Sequence, residues 1–260
     1  MALDTAADLQ APFFAPDSAI RRIHQEGILI LGGGRSLLMQ IAHPSVAQGV
    51  AEHSSYKTDR TARLMRTLRS TLAVVYGTRA QAEASIAGIN RLHQRVNGET
   101  YSALDPDLLV WVLATLVDTT VEMHDRFVAP IPSGDQAAYY EDVRLIGAFL
   151  GIPHGHMPGD LPAMRAYVVD MSARLEVSSA AREIARDLFA PLPKTGPSMW
   201  LYRQITAGLL HPALREGFGF TWGPARQRQL DALQWSGRNL VGRMPLRLRR
   251  TPGFLLPRQS

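Results

Sequence analysis

The 260-residue chain has no cysteine. That excludes disulfides, thiolate metal sites and iron–sulfur clusters, and it leaves the redox compartment unmarked. Lysine is almost missing too: Lys57 and Lys194 are the only two, so the net charge of +5 rests on arginine. The arginines are spread evenly beside abundant alanine, which does not read as a phosphate-binding surface, and no nucleic-acid partner is expected. Their one local concentration, Arg243 to Arg258, contains no acidic residue and reads as a solvated or partner-clasping tail. Long apolar runs are also lacking. The longest uncharged one, Leu108 to Val117, falls far short of the ~20 residues a membrane span needs. The first residues show no basic stretch followed by an apolar one, so no secretory signal is expected and the expected location is the cytoplasm.

Several site signatures are missing as well. There is no Glu-x-x-His pair for a ferritin-like di-iron centre and no His-Glu-x-x-His for a zinc protease. The triplet Gly32-Gly33-Gly34 after Ile28–Leu31 mimics a dinucleotide-binding turn, but Leu37 stands where the third glycine belongs. Arg35-Ser36 likewise fails the Lys-Ser/Thr pair of a phosphate loop. The triplet reads instead as a breaker that lets the backbone approach another helix or a flat cofactor closely.

What is present is helical periodicity. Asp59 can cap a helix with Leu64, Leu68, Leu72 and Val75 on one stripe, and Thr78 can cap the next, with Ile86, Ile89, His93 and Val96 in register. Asp105-Pro106 is a strong start for a helix ending before Pro130, and its uncharged middle is apolar nearly all round, as a central helix should be. Further helices are predicted from Ser133 to Leu150, Leu161 to Leu175, Ala180 to Phe189, Ser198 to Leu209 and Ala225 to Val241. No strand–helix–strand rhythm and no hairpin signal occurs. The expected fold is all-α, one domain over 1–260 with extended ends at 1–19 and 243–260.

Of the eight histidines, His154 and His156 sit in a Gly/Pro-rich loop and read as surface. His24 and His124 lie on helices among charged residues and are expected in solvent. His211 precedes Pro212 at a helix end. His93 shares an apolar stripe, which by itself usually means a satisfied core residue.

One segment changes that reading. From Ile30 the chain runs through the glycine triplet, a helix ending at His43-Pro44, the element His53-Ser54-Ser55-Tyr56, and a helix with Arg63 and Thr67 one turn apart. The phrase His93-Gln94-Arg95-Val96-Asn97-Gly98 follows. Over roughly Ile20 to Pro158 this order resembles the family of latex-clearing rubber oxygenases and the oxygenase of mycophenolic acid biosynthesis, long filed as a domain of unknown function. The resemblance implies a globin-like helical core, haem b as cofactor, and a haem-dependent oxygenase that uses O₂ on a hydrophobic small molecule. It implies His93 as the iron ligand. His43, Arg63, Arg66 and Thr67 would contact the cofactor, and Arg63, Thr67 and His53 would serve catalysis. In rubber oxygenases a lysine before the threonine closes the distal iron site; here Arg66 holds that place and cannot deprotonate to bind iron. Many relatives read Trp-Val-His-Ala-Thr-Leu-Val where this chain reads Trp111-Val112-Leu113-Ala114-Thr115-Leu116-Val117, so one family histidine is lost. Thr115, Asp118 and Glu122 remain as the polar residues of that helix able to face a pocket. Two other functions stay open: a haem enzyme that no longer oxygenates (an isomerase, dehydratase or peroxidase-like enzyme), and a haem-free helical protein that binds an apolar ligand.

Overall fold

A computed structural model describes residues 6–53, 60–190 and 196–257, with the side chains of residues 6 and 60–64 outside the description. Among the described residues every regular element is a helix. In chain order these are α1 (Ala6–Gln10), α2 (Ala19–His24), α3 (Gly33–Ala42), α4 (Pro44–His53), α5 (Arg60–Tyr76), α6 (Arg79–His93), α7 (Pro106–Phe127), α8 (Ser133–Phe149), α9 (Leu161–Arg174), α10 (Ser179–Leu188), α11 (Gly196–Leu209), α12 (Pro212–Gly217), α13 (Pro224–Asn239) and α14 (Leu246–Arg249). Gly27–Gly32, the stretch that mimics a dinucleotide-binding strand, is a 3-10 helix. The all-α expectation is met.

The longest helix is also the centre of the molecule. Asp105 caps α7, its carboxylate accepting from the amides of Asp107 and Leu108, while Pro106 fits the first turn, where no amide is needed. Twelve of its 22 residues are buried, from Leu109 to Phe127, because neighbours cover it on several sides: α3, α9 and α13 all pack against it. The two flanking helices of the Arg63–His93 segment, α5 and α6, pack on each other. Thr78 closes α5 and starts α6 with a capping box, its side chain accepting from the Gln81 amide while Gln81 accepts from the Thr78 amide. Asp59, the expected cap of α5, lies outside the described residues.

The glycine triplet does serve close approach, and the partners are helices. A Cβ on Gly32 would stand 2.7 Å from Thr119 Cγ2 and 2.8 Å from Met123 Cγ on α7. On Gly34 it would stand 2.3 Å from Thr206 Oγ1 and 2.9 Å from the Tyr202 ring on α11. So α3 is wedged between α7 and α11 at distances that only a residue without a side chain permits. Gly33, with nothing nearer than 3.8 Å, is the internal control. Gly34→Ala is expected to cost about 1–3 kcal/mol by overpacking, whereas Gly33→Ala should stay within about 0.5 kcal/mol. Urea unfolding of the two variants checks this, and equal stabilities would show that the wedge is not tight.

The arginine-rich tail does not simply hang in solvent. Arg249 pairs with the buried Glu26, the Thr251 amide donates to the Gln25 carbonyl at 2.8 Å and the Thr251 hydroxyl to the His24 carbonyl at 3.0 Å. The partner it clasps is its own chain, at the junction of α2 and the 3-10 helix.

Candidate functional site

Two groupings of polar side chains stand out among the described residues. The first is the inward side of α6 and the start of α4. Along α6, Ala82 and Ile86 are buried, and Asn90 and His93 continue their stripe one and two turns on. Asn90 donates through Nδ2 to the Phe149 carbonyl at 3.1 Å, but its Oδ1 is buried without a partner. The Nδ1 of His93 is buried without a partner too. Burial lowers the His93 pKa, so the ring is neutral and keeps a nitrogen lone pair. Two orphaned polar atoms three residues apart on one helix face are uncommon, since buried polar groups are nearly always satisfied.

His43 repeats the pattern. It ends α3 in an extended conformation and precedes Pro44, the first residue of α4. Its Nδ1 is also buried and unpartnered, and burial lowers its pKa against the opposing effect of nearby Asp105. The far half of α4 meets the loop that follows His93: a Cβ on Gly49 would touch Val96 and Tyr101, both at 3.2 Å. There the Tyr101 hydroxyl donates to Glu52 at 2.6 Å. This holds the Glu52 carboxyl below its ordinary range, and burial first, then Glu52, pushes the Tyr101 phenol up to about 12. The segment 96–101 thereby ties the end of α6 to α4.

The remaining sequence candidates border residues 54–59, which lie outside the description. His53 is exposed at the end of α4 with its Nε2 3.8 Å from Glu52, and Arg66 and Thr67 are exposed on α5. Arg63 belongs to α5, with its side chain outside the described part. Leu113, where the resemblance implies a histidine, is buried and packs 3.4 Å from the Cβ position of Gly147. His24, expected in solvent, is instead packed beside Tyr139 with ring centroids 6.1 Å apart, and burial, helped by His124, lowers its pKa to about 4. The Nδ1 of His124 lies 2.7 Å from the Ala129 carbonyl. If it donates there, Nε2 is the free lone pair.

The second place is a buried ion network that sequence reasoning only half saw. Arg35, 6% exposed, donates from Nη2 to Asp118 at 2.6 Å, from Nη1 to Thr119 at 2.7 Å and from Nε to the Leu209 carbonyl at 2.8 Å. Asp118 also accepts from Arg165 Nε at 3.1 Å, and Arg165 reaches Glu122 at 2.8 Å. Burial opposes the charge of Arg165, and Asp118, Glu122 and Asp125 together outweigh it, so its pKa is raised. With Arg35, Arg126 and Arg165, Asp118 and Glu122 line a cavity of about 700 Å³ that contains no residue of α4, α5 or α6 and so is not the pocket the resemblance implies.

A histidine that serves as an axial haem ligand does so as a neutral imidazole, and burial favours that form at His93 and His43. A porphyrin brings four nitrogens of its own, so one such side chain is sufficient; no group of three or more His, Asp or Glu residues poised for a metal occurs among the described residues.

The fold thus joins an all-helical core to two half-buried imidazoles, His43 and His93, each with an unpartnered Nδ1. Residues 20–239 match the family described as ER-bound oxygenase mpaB/B'/Rubber oxygenase, catalytic domain, and the chain belongs to it. Two uncharacterized mycobacterial proteins, one from Mycobacterium bovis and one from Mycobacterium tuberculosis, are each 28% identical to it over 211 residues, 76% of this chain and 83% of theirs. No solved structure matches it significantly.

Proposed function

We propose that this oxygenase-family chain is a haem b enzyme that uses O₂ to oxidise a hydrophobic small molecule, with His93 as the iron ligand in a globin-like core. The observation that carries the reading is the buried, unpartnered Nδ1 of a neutral His93 beside the equally unpartnered Oδ1 of Asn90. Bound there, haem supplies dioxygen binding and redox chemistry that no side chain can perform. The protein's own part is positional. His93 donates a lone pair without first losing a proton. His43, the second neutral imidazole, feels the charge of Asp105 and is a candidate to hold a proton. Arg63, Arg66 and Thr67 on α5, with His53 at the end of α4, are proposed to hold the propionates and polarise the distal side.

Leu113 favours a second reading, a haem enzyme that no longer oxygenates, because a buried leucine cannot relay the proton that a histidine there would. Purification after haem-supplemented expression tests the first claim: a Soret band with about one haem per chain is expected. Colourless protein that also fails to take up added hemin would leave only a haem-free binding protein. Incorporation of isotopically labelled dioxygen into product then separates oxygenation from other haem chemistry.

A further inference from the structure

The cavity against α7, α9 and α12 contains no residue of α4, α5 or α6, so it raises a question separate from haem. Its charged end is built but not closed. Arg35 and Arg165 spend their donors on Asp118, Thr119, the Leu209 carbonyl and Glu122, and Arg126 places Nε on Glu122 at 2.5 Å. Arg215 is different. Its Nη2 donates to the Leu210 carbonyl at 2.9 Å and the Gly208 carbonyl at 3.4 Å and its guanidinium lies 4.7 Å from the Trp222 ring centroid, but among the described residues it has no carboxylate partner and its Nε is buried without any acceptor. Burial accordingly lowers its pKa. Ser172, 1% exposed and also lining the cavity, has an unpartnered hydroxyl. His211 accepts from the Ala213 amide at Nδ1, which puts its proton on Nε2 as a further donor. Two buried donors without acceptors, Arg215 Nε and Ser172 Oγ, therefore belong to residues lining one cavity.

The charge count indicates what could satisfy them. Arg35, Arg126, Arg165 and Arg215 stand against Asp118, Glu122 and the adjacent Asp125, an excess of one positive charge. One negative charge balances it, whereas a dianion would overshoot. Val168, Ala166, Pro162 and Leu210 add apolar surface to the same cavity. We infer that this cavity binds the carboxylate end of an amphipathic organic acid, with Arg215 and Ser172 holding the oxygens and the hydrocarbon lying along α9. A guanidinium with an unspent N–H and a hydroxyl donor lining one cavity suit the two oxygens of a carboxylate. The inference holds whether or not His93 binds iron.

Calorimetric titration of the protein as purified with decanoate, and separately with decanol, tests it. Saturable binding at about one decanoate per chain is expected, at least about tenfold tighter than decanol. Arg215→Gln should weaken decanoate about tenfold or more, and Ser172→Ala about three- to tenfold. Arg215 also ties down backbone carbonyls, so if Arg215→Gln does not fold, Ser172→Ala decides. Acid and alcohol binding within about twofold of each other, no saturable binding, or Ser172→Ala binding like the wild type would each overturn the proposal. Inorganic sulfate, a dianion at any working pH, displacing decanoate as well as acetate or better would overturn the monoanion assignment.

Discussion

Asp118→Ala is expected to destabilise the protein by about 3–5 kcal/mol, the cost of breaking a buried ion pair by removing one partner. The carboxylate is 4% exposed and serves two arginines at once, accepting from Arg35 at 2.6 Å and Arg165 at 3.1 Å. Arg165 has Glu122 and the nearby solvent to fall back on, but Arg35 does not. Its guanidinium would stay buried with only the Thr119 hydroxyl and the Leu209 carbonyl for company, two dipoles facing a full charge. For a chain of this size the loss corresponds to a fall in Tm of roughly 10 °C. Asp118→Asn keeps the shape and one acceptor and should fall between. The exposed pair Arg174–Asp170 is the control, since removing it should change stability by less than about 1 kcal/mol. Melting of Asp118→Ala within a degree or two of wild type would show that Arg35 finds water in place of the carboxylate.

The helices of this protein were largely legible because they announce themselves locally. Thr78 and Asp105 are caps visible in the sequence, and each caps a helix in the structure; the caps Asp160 and Ser178 went unread. The glycine triplet was legible as a close approach. What it approaches was not, because Thr119, Met123 and Thr206 lie on helices far along the chain. Distance in sequence hid the ion network in the same way: Arg35 binds partners 83 and 174 residues away. Its signal was nevertheless there, an arginine alone in the apolar stretch Ile28–Ala42. Asp118 and Glu122 were visible as polar residues of a central helix, but their partners were not. His24 was misjudged because flanking charges suggested solvent, while Tyr139, which covers it, comes from another helix. For His93 the stripe and the phrase that follows it were both in the sequence; the orphaned nitrogen needed coordinates.

His93→Ala is expected to remove most or all of the haem while leaving the helical content and Tm close to wild type. The ring is only half-buried at the last residue of α6. Its Nδ1 makes no hydrogen bond that the fold would lose, so truncation relieves an orphaned polar atom rather than breaking a contact. Arg60→Ala is a useful companion, expected to retain haem, and a strong loss there would shift attention along α5. Added imidazole should restore a six- or five-coordinate haem spectrum to the His93→Ala protein if the lost ring was the axial ligand, because the free base can occupy the space left behind. A purely structural role for His93 would show no such rescue.

The absorption spectrum of haem-reconstituted wild-type, His93→Ala and His124→Ala proteins, each with its haem content per chain, tests the central claim most directly. His124 is the rival because an Nδ1 donating to the Ala129 carbonyl would leave Nε2 free to bind a metal. The account predicts that wild type and His124→Ala share one Soret band and about one haem per chain, while His93→Ala loses the band and regains it with imidazole. Full haem content and an unchanged spectrum in His93→Ala, with loss in His124→Ala, would contradict the assignment and move the iron to α7.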